Sequence, residues 1–155
     1  MDNRIIINNY IAYAVHYCMV IAGLLLSSCS AKLFINPYPV FYCIATPYAV
    51  VAYILFGFTL LKQNPRNSVM STVSVFFSLI LVAGICYCYG GGEMYFVYMS
   101  LNVFFAEPIS IITGRNDVFI LISLTFPSLL MYLGIILRGT YNRKKKTSKV
   151  DIIKQ

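Results

Sequence analysis

His16 is the only histidine of the chain and lies within a long uncharged, apolar stretch. If that stretch is a membrane helix, His16 lies about two turns, or ~10 Å, from its start near Tyr10. An ionisable side chain at that depth is by default a functional candidate. A neutral imidazole can also simply hydrogen-bond a hydroxyl group on a neighbouring helix. We favour this structural role over proton or substrate handling.

Three serines offer such a hydroxyl group. Ser71, Ser74 and Ser78 share one face at helical spacing. Small hydroxyl side chains form hydrogen bonds between helices in lipid. We therefore predict that the serine face packs against another helix, where it could also meet His16.

Four of the five cysteines, Cys29, Cys43, Cys86 and Cys88, lie near the same predicted membrane face. In this they resemble the four-helix, quinone-linked membrane thiol oxidoreductases, and that resemblance implies disulfide chemistry. The chain has no Cys-x-x-Cys motif, and residues two apart on a helix point to nearly opposite sides. The negative end of a helix dipole also disfavours a thiolate. We expect Cys86 and Cys88 to be unreactive.

A second resemblance involves Cys29. The sequence Leu26-Ser27-Ser28-Cys29 is similar to a bacterial lipobox, which implies cleavage before Cys29 and attachment of lipid to it. The residues before it depart from that pattern, because Asp2 offsets Arg4 and His16 makes the hydrophobic region polar. We expect Cys29 to keep a free thiol, with lipidation as the alternative.

Other chemistry finds little support in the sequence. It contains no Ser-His-Asp set, metal-ligand cluster or nucleotide motif. Glu93 and Glu107 lie too far apart in the chain to argue a paired-carboxylate site. We therefore predict neither an enzyme nor a bound cofactor or metal, and we retain Glu107, Cys86 and Cys88 as candidates at the outer face.

Composition points to a membrane. The chain is 59% hydrophobic and 11% charged, whereas soluble domains average roughly 45–50% and 25%. An aromatic content of 15% excludes a disordered chain. The sequence thus predicts an integral membrane protein.

About 20 apolar residues cross a bilayer as a helix. Four stretches have that character: 10–31, 38–61, 68–89 and 118–137. The stretch 94–106 is too short and predicts an interfacial or re-entrant segment. The predicted fold is an all-α polytopic bundle of four transmembrane helices.

Extending the short segment to Thr113 would create a fifth span, with Asn102 and Glu107 in lipid. Basic residues decide between the two topologies, because they concentrate on the cytoplasmic side. Four spans with both termini inside place ten basic residues inside and two outside, whereas five spans give eight and four. We therefore expect four spans in the cell membrane.

The tail 138–155 carries seven of the basic residues and is predicted to anchor the last span on the cytoplasmic side. Attraction to anionic lipid is a further expectation for it, at about 1 kcal/mol per basic residue near the surface. Nucleic-acid binding is not expected, since no interleaved aromatic residues accompany the charge.

The favoured functional hypothesis is a small non-enzymatic membrane protein that associates with other membrane subunits, as an accessory or immunity-type component would. The pairs Gly23-x-x-x-Ser27 and Ser74-x-x-x-Ser78 support it, because small residues permit close helix approach. Two alternatives remain open. One is a small oligomeric transporter with a polar path around His16 and kinks at Pro47 and Pro127; the other is the thiol oxidoreductase.

Overall fold

A computed structural model of the chain describes residues 3–33, 37–62, 69–89, 102–113 and 122–153. Within these ranges the chain is helical apart from short turns and contains no strand. The elements are α1 Asn3–Leu33, α2 Pro37–Thr59, a 3-10 turn Val69–Ser71, α3 Val73–Tyr89, α4 Ala106–Thr113 and α5 Phe126–Ile153. The prediction of an all-α fold is confirmed.

Helix α1 is the one helix of the described ranges that is long and apolar enough to cross a membrane, over Asn3–Cys29. The described parts of α2 and α3 contribute shorter apolar stretches, Cys43–Thr59 and Val73–Ile85. Only 22% of the most apolar part of α1 is buried within the protein. Most of that helix therefore presents apolar side chains to the surroundings.

The long helices form two parallel pairs. Helix α1 lies along α3, and α2 lies along α5 in the most extensive contact of the fold. In the first pair Asn8 contacts Ser71 and Asn9 contacts Ser74. Residue numbers therefore increase in the same direction along both helices, which makes the pair parallel. The same holds in the second pair, in which Gly57 meets Met131 and Leu61 meets Arg138. The start of α1, the end of α2 and the start of α3 thus meet at one end of the bundle.

Two glycines allow α2 and α5 to approach closely. A Cβ atom placed on Gly57 would overlap the backbone carbonyl oxygen of Met131, and one on Gly134 would overlap that of Ile54. Backbone packing this tight is possible only where neither residue carries a side chain. The Gly57–Gly134 contact is therefore the point at which the two helices cross.

The predicted fourth span, 118–137, is not one continuous helix. Leu124 and Thr125 form a turn, and α5 begins only at Phe126. Pro127 explains this start, because proline lacks an N–H and is accepted in the first turn of a helix rather than within it. The helical backbone of the described residues is thus interrupted just before Pro127. Pro47, in contrast, does lie inside α2.

Of the predicted interfacial or re-entrant segment 94–106, the structure describes residues 102–106. Residues 102–105 form a turn that is almost completely buried, closed by a hydrogen bond from the Phe105 N–H to the Asn102 carbonyl. Helix α4 starts at Ala106, which again places a proline, Pro108, in a first turn. This end of the segment therefore lies within the bundle and not on its surface.

Other predicted limits shift as well. Helix α1 begins at Asn3, seven residues before the predicted span, and the basic tail continues α5 as a helix to Ile153. Helix α3 ends at Tyr89, directly before Gly90-Gly91-Gly92, where the sequence predicts its end.

Candidate functional site

Among the described residues, the buried interior is mostly apolar but includes six polar side chains. They are Asn8, His16, Ser71, Thr72, Asn102 and Ser123. The outer surface also carries large apolar side chains on each long helix. Examples are Ile21 and Leu25 on α1, Tyr48 and Val51 on α2, Phe77 and Leu81 on α3, and Leu129 and Leu133 on α5. The buried polar groups make the interior the candidate site.

At the end of the bundle where α1 starts, Asn8 forms hydrogen bonds with the backbone of Lys62, which follows α2. Its Nδ2 donates to the Lys62 carbonyl at 2.7 Å and to Ser71 Oγ at 3.1 Å, and its Oδ1 accepts the Lys62 N–H at 3.0 Å. One buried side chain thereby satisfies backbone groups that a helix end leaves open. Asn8 fixes α2 and the start of α3 to α1.

Asn9 does the same for the first turn of α3. Its Oδ1 accepts the Ser74 N–H at 3.0 Å, and its Nδ2 donates to the Met70 carbonyl at 2.6 Å. The Ser74 hydroxyl in turn donates to the Asn9 carbonyl. Because the first N–H groups of a helix lack partners within it, Asn9 acts as a cap supplied by a neighbouring helix.

Arg138 caps the end of α2. Its Nη1 donates to the carbonyl oxygens of Thr59 and Leu61, at 3.2 and 2.8 Å. Carbonyl groups at a helix C-terminus carry partial negative charge, so a cation is favourable there. A second contact between α5 and α2 follows one turn later, where the Tyr141 and Phe58 rings lie 6.1 Å apart.

His16 is 1% exposed, and its Nδ1 lies 2.9 Å from the hydroxyl oxygen of Tyr53 on α2. The expectation of a serine partner for this nitrogen is therefore corrected. The reason lies in helix geometry. His16 belongs to the same buried stripe of α1 as Asn8, Ala12 and Val20. It lies about two turns beyond Asn8, the residue that meets Ser71, and at that height the stripe faces Tyr53 of α2.

The three serines do lie along α1. Ser71 meets Asn8 and Ser74 meets Asn9, whereas the Ser78 hydroxyl donates to the Val75 carbonyl of its own helix. The hydroxyl groups of Ser71 and Ser74 thus hold the start of α3 against α1 rather than surrounding His16.

A second polar contact joins the two buried turns. Asn102 Nδ2 donates to Ser123 Oγ at 2.8 Å, and both residues are almost completely buried. The Asn102 Oδ1 atom has no hydrogen-bond partner among the described residues. Nearby, the Thr46 hydroxyl donates to the Phe104 carbonyl, which ties α2 to the buried turn 102–105.

Of the outer-face candidates, the structure describes Cys29 and Cys43, which are exposed free thiols, as is Cys18. The side chains of Cys86, Cys88 and Glu107 lie outside the described part of the structure. No group of potential metal ligands occurs among the described residues. The described polar groups can therefore hold helices together, and the His16–Tyr53 pair brings an imidazole and a phenol together inside the bundle.

Sequence reasoning missed Asn8, Asn9, Tyr53 and the Asn102–Ser123 pair as partners across the fold. The asparagine pair carried a usable signal, because two amides beside an apolar stretch must find partners if that stretch is membrane-embedded. Tyr53 carried none, since tyrosines are frequent throughout the chain.

Compared with known proteins, the chain matches no family model, no curated sequence and no solved structure. The function is therefore argued from its geometry.

Proposed function

We propose that the chain is an integral membrane protein of four spans that acts non-enzymatically, by associating with other membrane subunits. The observation that carries the proposal is the outer surface of the fold, where large apolar side chains are exposed on each long helix although the fold already has a buried core. Water-soluble monomers rarely expose apolar patches beyond a few hundred Å². Lipid tails and partner helices are the surroundings that suit such a surface.

The helices support this environment. Helix α1 is only 22% buried over its most apolar part, whereas the apolar core helix of a soluble protein would be mostly covered. Helix α2 has 23 residues, or about 35 Å at 1.5 Å per residue, enough for a hydrocarbon core of ~30 Å. Helix α5 contributes its apolar part before Arg138, preceded by the buried turn at 124–125.

Association is favoured over chemistry because the interior polar groups are engaged with one another. Asn8 binds Lys62 and Ser71, His16 binds Tyr53, and Asn102 binds Ser123. These contacts link different parts of the fold. The broad outer surface then remains for recognising other membrane helices, by close packing of apolar and small side chains.

Purification of the full chain from its native membrane in mild detergent tests this function. A second membrane protein that co-purifies in fixed stoichiometry, and survives a second affinity step, is the expected result. A chain recovered alone as a monomer would contradict association. A chain released from membranes by alkaline carbonate, without detergent, would contradict membrane insertion itself.

The transporter is the second candidate, and one observation favours it. The turn at 124–125 interrupts helical backbone, and in the buried turn 102–105 the Asn102 Oδ1 atom has no described partner. Interrupted helices with free polar groups form substrate sites in transporters. Transport would be favoured over association if the chain purifies as a homo-oligomer that takes up a solute, and if Asn102→Leu abolishes this uptake without changing the assembly.

A further inference from the structure

The cationic side chains that the structure describes all lie towards one end of the bundle. They are Arg4, Lys62, Arg138, Arg143, Lys144 and Lys145, and no acidic side chain is among those described. Two sets of hydrogen bonds bring three of these residues close together. Asn8, one turn after Arg4, is bonded to the Lys62 backbone. Arg138 donates to the carbonyl of Leu61, the residue before Lys62. The described charged side chains at this end are therefore all positive.

Two of these cations are held in place by the fold. The Lys62 backbone is bonded through both its N–H and its carbonyl to Asn8, and its side chain is exposed. The Arg138 guanidinium is fixed through Nη1 to the end of α2. No described residue accepts a hydrogen bond from its Nε or Nη2, so that edge keeps its planar pair of donors. Such an edge matches two oxygens of a phosphate or carboxylate group.

We propose that Lys62 and Arg138 form a binding site for the phosphate group of an anionic phospholipid. This inference rests on the proposed membrane location. The phosphodiester accepts from the free edge of Arg138 and from the Lys62 ammonium, and the acyl chains lie along exposed apolar residues just above, such as Leu60 and Leu137. Arg143, Lys144 and Lys145 continue on α5 within about 10 Å of Arg138 along the helix axis and attract anionic lipid to this end.

The site differs from a general attraction of the basic tail, because it depends on the fixed Arg138 guanidinium and on the lysine at position 62, whose backbone is anchored. A diffuse field would depend only on the number of charges. Lys62 is the residue to change. It makes described hydrogen bonds only through its backbone, whereas Arg138 also caps α2 and its loss would perturb the fold. Lys145 provides the matched control, since it is exposed and carries the same charge.

The experiment uses the full chain, purified in detergent and stripped of lipid, with its melting temperature followed during titration. Phosphatidylglycerol should raise Tm by about 5 °C more than phosphatidylcholine at saturation. Lys62→Gln should lose most of that difference while keeping its Tm in phosphatidylcholine, and Lys145→Gln should keep most of it. Inorganic phosphate should give little shift, because it has no acyl chains to cover the apolar surface.

Three results would overturn the inference. Equal increases in Tm with phosphatidylglycerol and phosphatidylcholine would show that binding does not require a negatively charged lipid. If Lys62→Gln and Lys145→Gln lose equal parts of the Tm difference between the lipids, the attraction is a diffuse electrostatic effect and not a site. A phosphate shift as large as that of phosphatidylglycerol would assign the site to a free anion. If any of these occurs in a chain that still co-purifies with its membrane partner, this inference fails and the proposed function stands.

Discussion

The hydrogen bond between His16 and Tyr53 is the residue-scale contact on which the functional alternatives differ most. Hydrogen bonds between helices in lipid average about 0.6 kcal/mol and reach at most about 1.7. A double-mutant cycle with His16→Leu and Tyr53→Phe should give a coupling free energy in that range, measured from unfolding in detergent–lipid mixtures. A coupling near zero would show that the two side chains do not interact.

The substitution His16→Gln distinguishes a structural role of His16 from a role in proton or substrate handling. Glutamine keeps a donor and an acceptor, so the partner complex should survive with a slight loss of thermal stability. Glutamine cannot titrate, whereas histidine can do so near neutral pH. A folded, correctly assembled but inactive His16→Gln protein would favour the transporter instead.

Asn8 should matter more for stability than His16. Asn8→Leu removes two bonds to the Lys62 backbone and one to Ser71, leaving polar groups without partners in a buried setting. We expect a loss of about 1–3 kcal/mol in the free energy of unfolding. Asn3→Leu, at an exposed position of α1, is the control and should change little. Equal effects of the two substitutions would show that Asn8 does not hold the end of α2.

At the scale of helices, the crossing of α2 and α5 depends on glycine. Gly57→Ala or Gly134→Ala would place a Cβ against a backbone carbonyl, so the helices must separate and lose their close packing. We expect a loss of 2 kcal/mol or more, on the order of other overpacked sites, seen as a lower melting temperature.

Gly84→Ala is the matched control for this crossing. Its Cβ would meet nothing within 4 Å, so the higher helix propensity of alanine should leave stability equal or raise it by up to about 1 kcal/mol. Similar destabilisation at Gly84 and Gly57 would mean that the tight crossing is not what makes Gly57 necessary.

The helices themselves differed in how far the sequence could predict them. Long apolar runs locate α1, α2 and α3 to within about seven residues at each end, because hydropathy depends only on local composition. The run 118–137 looked equally continuous, yet Leu124 and Thr125 leave the helix before Pro127, a break for which the proline was the local signal. The contact between Asn102 and Ser123 could not be predicted, because it joins residues far apart in the chain and leaves no local pattern.

At the scale of the whole molecule, the distribution of basic residues predicts that both termini are cytoplasmic. The parallel arrangement of α1 with α3 and of α2 with α5 is compatible with this topology. Reporter fusions after Gln155 and within Gly90-Gly91-Gly92 should therefore report opposite sides of the membrane. The same side for both would contradict four spans.

The proposed membrane location requires that the apolar outer surface faces lipid on several helices. Thiol labelling in intact membranes tests this requirement most directly. Three single-cysteine variants in an otherwise cysteine-free chain are compared: native Cys18 on α1, Leu81→Cys on α3 and Lys145→Cys beyond the bundle. All three positions are exposed in the structure.

Maleimides react with the thiolate, which forms in water and not in hydrocarbon. Cys18 and Leu81→Cys should therefore resist N-ethylmaleimide until the membrane is dissolved and the chain unfolded, whereas Lys145→Cys should react at once. Labelling of Cys18 and Leu81→Cys at the rate of Lys145→Cys would show that this surface faces water and would contradict the account.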